Sequence, residues 1–141
     1  MAIGLTPYLR FAGVAREAME YYHSVLGGEY SAMTFREGAG EENPQFADNI
    51  MHASLFVERG VHFMASDVPP TMNATPNGVI ALSNDGNGDG AADADTLRGW
   101  WDKFADDSTI DIPLETAPWG DSFGQLTDRY GVTWMFNIGA Q

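Results

Sequence analysis

The sequence predicts an α+β fold in which one βαβββ unit occurs twice, in residues 3–67 and again in residues 77–139. Each half opens with a short apolar run, continues with an amphipathic segment that contains aromatic residues, and closes with a hairpin-rich stretch. Repetition of one supersecondary unit predicts two half-sheets that curve around a shared cleft, and small molecules bind in such clefts. We therefore expect the 141 residues to form a single domain made of two modules.

The first module begins with a strand at residues 6–11, where polar and apolar side chains alternate. A helix is predicted over residues 14–26, because apolar residues recur there at helical spacing: Val14, Ala18, Tyr21, Tyr22, Val25 and Leu26. Gly27 and Gly28 end this helix, since glycine adopts the positive φ that follows a last turn. Residues 37–49 are expected to form an exposed loop, and such loops often cover a pocket.

Two hairpins and a second helix complete the pattern. Residues 50–58 and 61–66 flank Arg59-Gly60, a two-residue spacing typical of a hairpin. After the strand at residues 78–83, a helix preceded by Asp93 and Asp95 is expected to pack on the sheet through a stripe of four residues: Leu97, Trp100, Trp101 and Phe104. Residues 125–127 and 132–138 form the last hairpin.

Composition limits the classes of partner. The chain carries 20 Asp and Glu against 7 Lys and Arg, a formal net charge of −13, and such a surface repels nucleic acid and anionic lipid. Cysteine is absent, which excludes disulfides, thiolate nucleophiles and cysteine-based metal sites. No apolar stretch approaches the roughly 20 residues needed to span a bilayer. We expect a soluble, cytoplasmic protein that binds neither nucleic acid nor membranes.

A set of short motifs, in order along nearly the whole chain, carries a family resemblance: Pro7-Tyr8-Leu9-x-Phe11, Glu17-Ala18, Tyr21-Tyr22, Gly27-Gly28, Ile50-Met51-His52-Ala53, Ala65-Ser66-Asp67, Trp119-Gly120, Phe123-Gly124, Asp128, Gly131, Trp134 and Asn137. Together they resemble the PhnB-like branch of the vicinal oxygen chelate superfamily. That superfamily includes glyoxalase I, bleomycin-resistance proteins, fosfomycin-resistance enzymes and extradiol dioxygenases. The resemblance implies paired βαβββ modules, an incomplete barrel around a cleft, and a homodimer.

The resemblance also places the superfamily's metal-ligand positions at Thr6, His52, Val79 and Met135. Only His52 is a good ligand, whereas a divalent ion needs several nitrogen or oxygen donors. We therefore predict a cleft without a catalytic metal and no cofactor. A divalent metal held through ligands displaced from these positions, such as His52 with Tyr8 or Asn137, is the alternative.

The alternation of side chains between the two faces of a strand gives an independent test of this placement. If these four residues face the cleft, the opposite strand faces are nearly all apolar, as surfaces packed under helices should be: Leu5, Leu9, Phe11, Met51, Ala53, Leu55, Val57, Ile80, Leu82, Trp134, Phe136 and Ile138. The cleft faces then carry a mixed lining: Tyr8, Arg10, His52, Ser54, Phe56, Ser83, Thr133, Met135 and Asn137. Such a lining suits a polar-tipped organic ligand.

From these faces we predict the ligand-binding residues Tyr8, His52, Ser54, Phe56, Trp119, Met135 and Asn137, with His52 as the best candidate for acid–base catalysis. Structural roles are the alternative. His52 can be a hydrogen-bonded structural histidine, Tyr8 and Asn137 can satisfy each other, and Trp119 can pack a loop rather than cover the cleft mouth. Asp67 is expected to cap a turn.

Residues 85–90, Asp-Gly-Asn-Gly-Asp-Gly, match the opening of an EF-hand calcium loop. The twelfth position is Thr96 rather than glutamate, and a strand rather than a helix precedes the loop. A glycine- and aspartate-rich strand-to-helix connection is therefore favoured over a calcium site.

These observations predict a small-molecule-binding protein of the glyoxalase/bleomycin-resistance type. A divalent-metal-dependent lyase, isomerase or dioxygenase that uses the same cleft is the alternative, and a cleft filled by its own side chains is a third, structural reading. Relatives of this branch are sometimes labelled demethylubiquinone methyltransferases. We do not expect methyl transfer, because a βαβββ repeat lacks the nucleotide-binding layer and glycine-rich first turn that the methyl donor would need.

Overall fold

The computed structural model of the chain describes residues 5–58, 60–69, 77–84 and 90–139. They form two compact units that divide after residue 76. The first contains these elements in order: β1 (Tyr8–Phe11), α1 (Ala15–Leu26), β2 (Glu29–Thr34), α2 (Phe35–Ala39), β3 (Ile50–Val57) and β4 (Val61–Asp67). The second contains β5 (Val79–Ser83), α3 (Gly90–Ala105), β6 (Thr109–Thr116), β7 (Ser122–Thr127) and β8 (Thr133–Ile138).

Each unit has one mixed four-stranded sheet, and the two sheets have equivalent topology. Sheet 1 has the order β1-β4-β3-β2, and sheet 2 has the order β5-β8-β7-β6. The first strand of each unit pairs in parallel with the last, and the remaining pairs are antiparallel. This repetition confirms the predicted α+β class and the paired βαβββ modules, with α2 as an addition to the first.

Helix α1 forms where the sequence predicts it, but it begins one residue later than expected. Val14 lies at the N-cap and is exposed, whereas the buried stripe consists of Ala15, Ala18, Met19, Tyr22, Val25 and Leu26. Tyr21 was expected in this stripe but is only half-buried, because its position lies beside the apolar face rather than on it. Gly27 and Gly28 have φ of 75° and 84°, which confirms their predicted role.

Helix α3 packs on sheet 2 through Leu97, Trp101 and Phe104, which are buried, with Ala94 one turn earlier. The Trp101 ring lies edge-on to Phe136, with centroids 5.2 Å apart, and Phe104 lies 4.9 Å from Trp134. Trp100 was also expected in this core but is half-buried, because the buried residues lie at i, i+4 and i+7 from Leu97 and Trp100 lies at the edge of that stripe. Asp93 lies in the first helical turn, where a carboxylate complements the helix dipole.

Three local predictions were wrong. Residues 37–49 are not simply an exposed loop: Phe35–Ala39 is helical, and Ala47 is fully buried. Val57 pairs with Val61, so three residues rather than two connect β3 to β4. Leu5 precedes β1 and is fully exposed, because the apolar face of the strand begins only at Leu9.

Among the helices in residues 5–58, 60–69, 77–84 and 90–139, none is long and apolar enough to cross a bilayer.

Candidate functional site

One face of sheet 1 is packed and the other is open. The packed face presents Leu9, Ala53, Leu55, Phe63 and Ala65, all buried, and the Phe63 ring contacts Tyr22 of α1 edge-on at 5.7 Å. The open face carries the residues that alternate with these along each strand. One row of them pairs across the sheet from β1 to β2: Tyr8, Met64, Ser54 and Ser31. The exposure of these faces agrees with the strand parity deduced from the sequence, since side chains alternate across a strand.

The open face of sheet 1 brings together two predicted ligand-binding residues. The Tyr8 hydroxyl lies 3.3 Å from Nδ1 of His52, and the two ring centroids are 6.0 Å apart. Tyr8 is 46% exposed, so its ring is available to solvent. Tyr8 and Asn137 each have a hydrogen-bond partner within their own unit, and the expectation that they also satisfy each other stays a prediction. A phenol beside an imidazole can relay a proton or present a fixed hydrogen-bond donor.

A second hydroxyl–imidazole pair lies on the same face. The Ser54 hydroxyl is 3.1 Å from Nε2 of His62, and the Phe56 ring lies edge-on to His62 with centroids 5.6 Å apart. Phe56 is 51% exposed, which is unusual for a phenylalanine within a strand. Both Ser54 and Phe56 were predicted as ligand-binding residues.

His62 was missed, and the reason is the hairpin register. A two-residue loop would pair Val57 with His62 and so turn His62 towards the packed face. The three-residue loop instead pairs Phe56 with His62. A shift of one residue exchanges the two faces of a strand, so the correct loop length was the signal that could have found this residue.

The second unit carries the other predicted residues, two on the open face of sheet 2 and one in a turn. The Asn137 amide lies 3.1 Å from Oδ2 of Asp121, and Met135 pairs with Ala81 on one side and Gln125 on the other. Trp119 lies in the turn before β7, is 64% exposed, and contacts the edge of Phe123 with ring centroids 6.2 Å apart. The indole is therefore neither part of the core nor buried in a loop.

A carboxylate of β6 also lies among the side chains of sheet 2. Oδ2 of Asp111 accepts a hydrogen bond of 2.7 Å from the Thr127 hydroxyl and one of 3.4 Å from the Gln125 amide. The Thr127 and Thr133 hydroxyls are 3.1 Å apart. The sequence did not single out Asp111 or Asp121, since acidic residues are numerous and nothing in their spacing marks these two.

The positions aligned with superfamily metal ligands do not form a suitable donor set. Thr6 precedes β1, Val79 is an exposed alkyl side chain on β5, and Met135 offers only a thioether. Across residues 5–58, 60–69, 77–84 and 90–139, no three His, Asp or Glu side chains converge as metal ligands would. The motif that resembles the opening of a calcium loop falls on residues 85–90, of which 85–89 lie outside the described residues.

Two buried aspartates have structural roles. Oδ1 of Asp67 accepts hydrogen bonds of 2.9 Å from the backbone N–H groups of Gly13 and Ala15, and Oδ2 accepts one of 2.9 Å from Ile50. Asp67 therefore holds the start of α1 and the start of β3, rather than capping its own turn as predicted. Asp128 accepts from the N–H groups of Tyr130 and Val132 and from the Trp134 indole at 2.8, 3.1 and 2.9 Å.

A groove lies at the β2–β3 end of the first unit. Its volume is about 440 Å³, and it is lined by Gly28, Glu29, Phe56, Val57 and Glu58. Phe56 belongs both to this groove and to the open face of sheet 1. The volume is within the range of small-molecule sites.

Comparison with known proteins agrees with this architecture. Residues 4–136 match a family model described as 3-demethylubiquinone-9 3-methyltransferase. Protein YjdN of Escherichia coli is 32% identical over 95% of this chain and 94% of its own length. The crystal structure of protein PA1353 from Pseudomonas aeruginosa shares 35% identity, with a TM-score of 0.77 over 99% of this chain and all of that one.

Two further solved structures define the fold group. A PhnB protein from Bacillus cereus is 26% identical, with a TM-score of 0.65 over 96% of this chain and 98% of that one. A glyoxalase/bleomycin resistance protein/dioxygenase superfamily member from Sphaerobacter thermophilus is 17% identical, with a TM-score of 0.52 over 97% and 98%. The chain therefore belongs to the PhnB-like family whose model is described as 3-demethylubiquinone-9 3-methyltransferase, and it has the glyoxalase/bleomycin resistance protein/dioxygenase fold.

Proposed function

We propose that this chain binds a small organic molecule through the open faces of its sheets, without a catalytic metal. The observation that carries the proposal is the Tyr8–His52 hydrogen bond on an exposed sheet face. The packed face and the buried aspartates stabilise the fold, whereas this pair lies away from the packed side. Polar and aromatic side chains arranged on a concave or open face are the usual means of orienting an organic ligand.

Methyl transfer, which the family description names, is not part of the proposal. A nucleotide-type methyl donor is bound where a glycine-rich turn links a strand to a helix in a parallel α/β layer. The β1–α1 connection has Gly13 alone, and the backbone N–H of Gly13 donates to Asp67 rather than facing an open crevice. The two described sheets are mixed rather than parallel.

Ligand screening by thermal shift tests the proposal, with organic acids, phenols, amines and neutral aromatics in the panel. A binder should raise the melting temperature of the wild-type protein, and His52→Ala and Tyr8→Phe should reduce that shift. His23→Ala is the matched control, since His23 lies on α1 and stacks on Tyr30, which pairs with Leu55 of the packed face. Ligand shifts that are equal in all four proteins would overturn the proposal.

The metal-free character needs its own measurement. Elemental analysis of untagged protein, before and after dialysis against zinc, nickel, manganese and iron(II), should find no stoichiometric ion. Retention of one ion per chain together with metal-dependent turnover would replace binding by the lyase, isomerase or dioxygenase alternative. The same preparation tests the homodimer that the family resemblance implies, by light scattering after size-exclusion chromatography. The cytoplasmic location is likewise proposed, and cell fractionation tests it.

A further inference from the structure

The two open faces differ in their charged groups: within the strands, positive groups occur only on the open face of sheet 1, which also carries one carboxylate, Glu29. Within the strands of sheet 1, every side chain that can carry positive charge lies on the open face: Arg10, His52 and His62. The strands of sheet 2 contain no Lys, Arg or His, whereas Asp111 and Asp121 contact side chains of its open face. In a chain with a formal net charge of −13, this distribution marks the part of the open face around Arg10 and His52, away from Glu29, as the place where an anion would meet least repulsion.

The positive groups lie mainly at one end of that face. Arg10 pairs with Ser66, and the register that pairs Ala53 with Ala65 puts His52 opposite Ser66. Arg10 and His52 therefore lie in one row across the sheet, on either side of β4. Phe56 pairs with both His62 and Glu29 at the other end. His52 and Phe56 are four residues apart on β3, a distance of roughly 13 Å. This is about the length of a molecule with two or three aromatic rings.

Each imidazole has one tautomer in which its hydroxyl partner donates to the ring. When the Tyr8 hydroxyl donates to Nδ1 of His52, the proton of the neutral ring is on Nε2. When Ser54 donates to Nε2 of His62, the proton of that ring is on Nδ1. Neither protonated nitrogen has a hydrogen-bond acceptor among the residues that the structure describes. In these tautomers the two ring N–H groups share the open face with the Arg10 side chain, and such donors match acceptor oxygens.

We infer that the ligand of this face is a planar aromatic anion, with an acidic group such as a carboxylate or sulfonate at Arg10 and His52 and its rings on Phe56. The inference rests on the proposed function and adds the ligand class to it. Arg10 supplies a planar cation that pairs with such groups in two-point fashion. The half-exposed Phe56 ring and the edge of His62 supply the apolar contact that an aromatic ring would cover.

A matched pair of fluorescent probes tests the inference. 8-Anilino-1-naphthalenesulfonate is the anionic probe, and N-phenyl-1-naphthylamine has the same rings without the sulfonate. We expect the sulfonate to bind at least about tenfold more tightly in fluorescence titrations at low salt. Arg10→Gln and His52→Gln should each weaken sulfonate binding about fivefold or more and leave the neutral amine unchanged. Phe56→Ser should weaken both probes.

Two controls separate this face from the remaining cationic surface. Arg36→Gln removes an exposed guanidinium that pairs with Asp48 at 3.1 Å, and His23→Gln removes the histidine of α1. Neither change should alter binding of either probe. Circular dichroism should show that every variant keeps the wild-type spectrum and melting transition.

The outcomes distinguish this inference from the proposed function. Equal affinity for both probes, weakened by Phe56→Ser but not by Arg10→Gln, would overturn the ligand class and retain a binding face. Probe affinities that no substitution on this face changes would overturn both. Selective loss of the sulfonate in Arg10→Gln and His52→Gln would support the anionic ligand.

Discussion

The two units share a strand order but differ in how a buried aspartate stabilises each one. Asp67 accepts hydrogen bonds from residues 17 to 54 positions away along the chain, so it links the β1–α1 connection to β3. Asp128 accepts from residues two to six positions away and organises a single hairpin turn. The comparison teaches that a repeated topology does not require repeated interactions, and that the same side chain can act at long or short range.

The open faces differ in the same way. The open face of sheet 1 carries imidazoles, a guanidinium, exposed aromatic rings and the single carboxylate of Glu29. That of sheet 2 contacts two carboxylates and carries amides and hydroxyls. Packed faces remain similar because both must accept a helix, but open faces are free to differ. Divergence between the repeats is therefore concentrated where packing imposes no constraint.

The largest expected loss of stability tests the difference between the two aspartates. Asp67→Ala should lower the free energy of unfolding by about 3–5 kcal/mol, because three N–H groups lose their acceptor. Asp128→Ala should cost about 2–3 kcal/mol, since the backbone bonds between Asp128 and both Gly131 and Val132 remain to hold the turn. Urea unfolding of each variant measures both values. An equal or larger loss in Asp128→Ala would contradict the distinction between long-range and local roles.

A smaller effect is expected at the end of α1, where the first unit depends on glycine. Gly28 has φ of 84°. An added Cβ would clash with the Phe56 carbonyl oxygen and would lie 2.9 Å from Cγ2 of Val57. Gly28→Ala should therefore cost about 2–4 kcal/mol, from backbone strain and overpacking together.

Gly27 is the matched control for this substitution. Its φ is 75°, but an added Cβ would meet no atom within 4 Å. Gly27→Ala should cost only about 1 kcal/mol, the price of the strained backbone alone. Thermal unfolding that shows equal losses for the two variants would rule out the close contact with β3 as the cause.

The corresponding close contact in the second unit involves α3 rather than a helix end. A Cβ added to Gly124 would lie 2.8 Å from Cη2 of Trp101 and 3.0 Å from Cα of Leu114. Gly124→Ala should cost about 1–3 kcal/mol, because the indole must shift within a packed core. Near-ultraviolet circular dichroism should show a change in the tryptophan signal. An unchanged spectrum and melting temperature would indicate that this packing is looser than the contact distances imply.

The smallest effect concerns α2, which has no counterpart among the described elements of the second unit. The backbone N–H of Thr34 donates to the Glu37 carboxylate, and the Thr34 hydroxyl donates to it as well. These two hydrogen bonds, the backbone one most, hold the pKa of Glu37 below its ordinary value of 4.5. The contribution of this capping box to stability is therefore present above that value and is lost as pH falls through the lowered pKa.

Glu37→Gln provides the control, because glutamine keeps the acceptor oxygen but does not titrate. We expect the wild type to lose slightly more thermal stability than Glu37→Gln between pH 7 and pH 3, since Glu37 is exposed and solvent screens its charge. Melting temperatures across this range provide the measurement. Parallel curves for the two proteins would show that the charge of Glu37 does not contribute.

Much of the fold was predictable because its signals are local. The spacing of Ala18, Tyr22 and Val25 indicated α1, and the repeated order of runs indicated the two modules. Errors arose where a few residues change the geometry, as in the connection from β3 to β4. The helical conformation of Phe35–Ala39 was missed because a five-residue helix has too little periodicity to detect, although Thr34 and Glu37 form a recognisable capping box.

The candidate site was predictable as a list of side chains but not as a set of contacts. Tyr8, His52, Ser54 and Phe56 were placed on one face by alternation, which needs only the strand itself. The partners of these residues depend on which strands are neighbours and in what register. The contact of Ser54 with His62 and that of Asn137 with Asp121 could not be deduced without the tertiary structure.

The sequence by itself determined the class of fold, the repeat and the two faces of each strand, because the periods of helix and strand are properties of the local backbone. Only the tertiary structure decided which groups meet: Tyr8 with His52, Ser54 with His62, and Asp67 with three distant N–H groups. These contacts join residues 8 to 54 positions apart, and no local period specifies strand order or register.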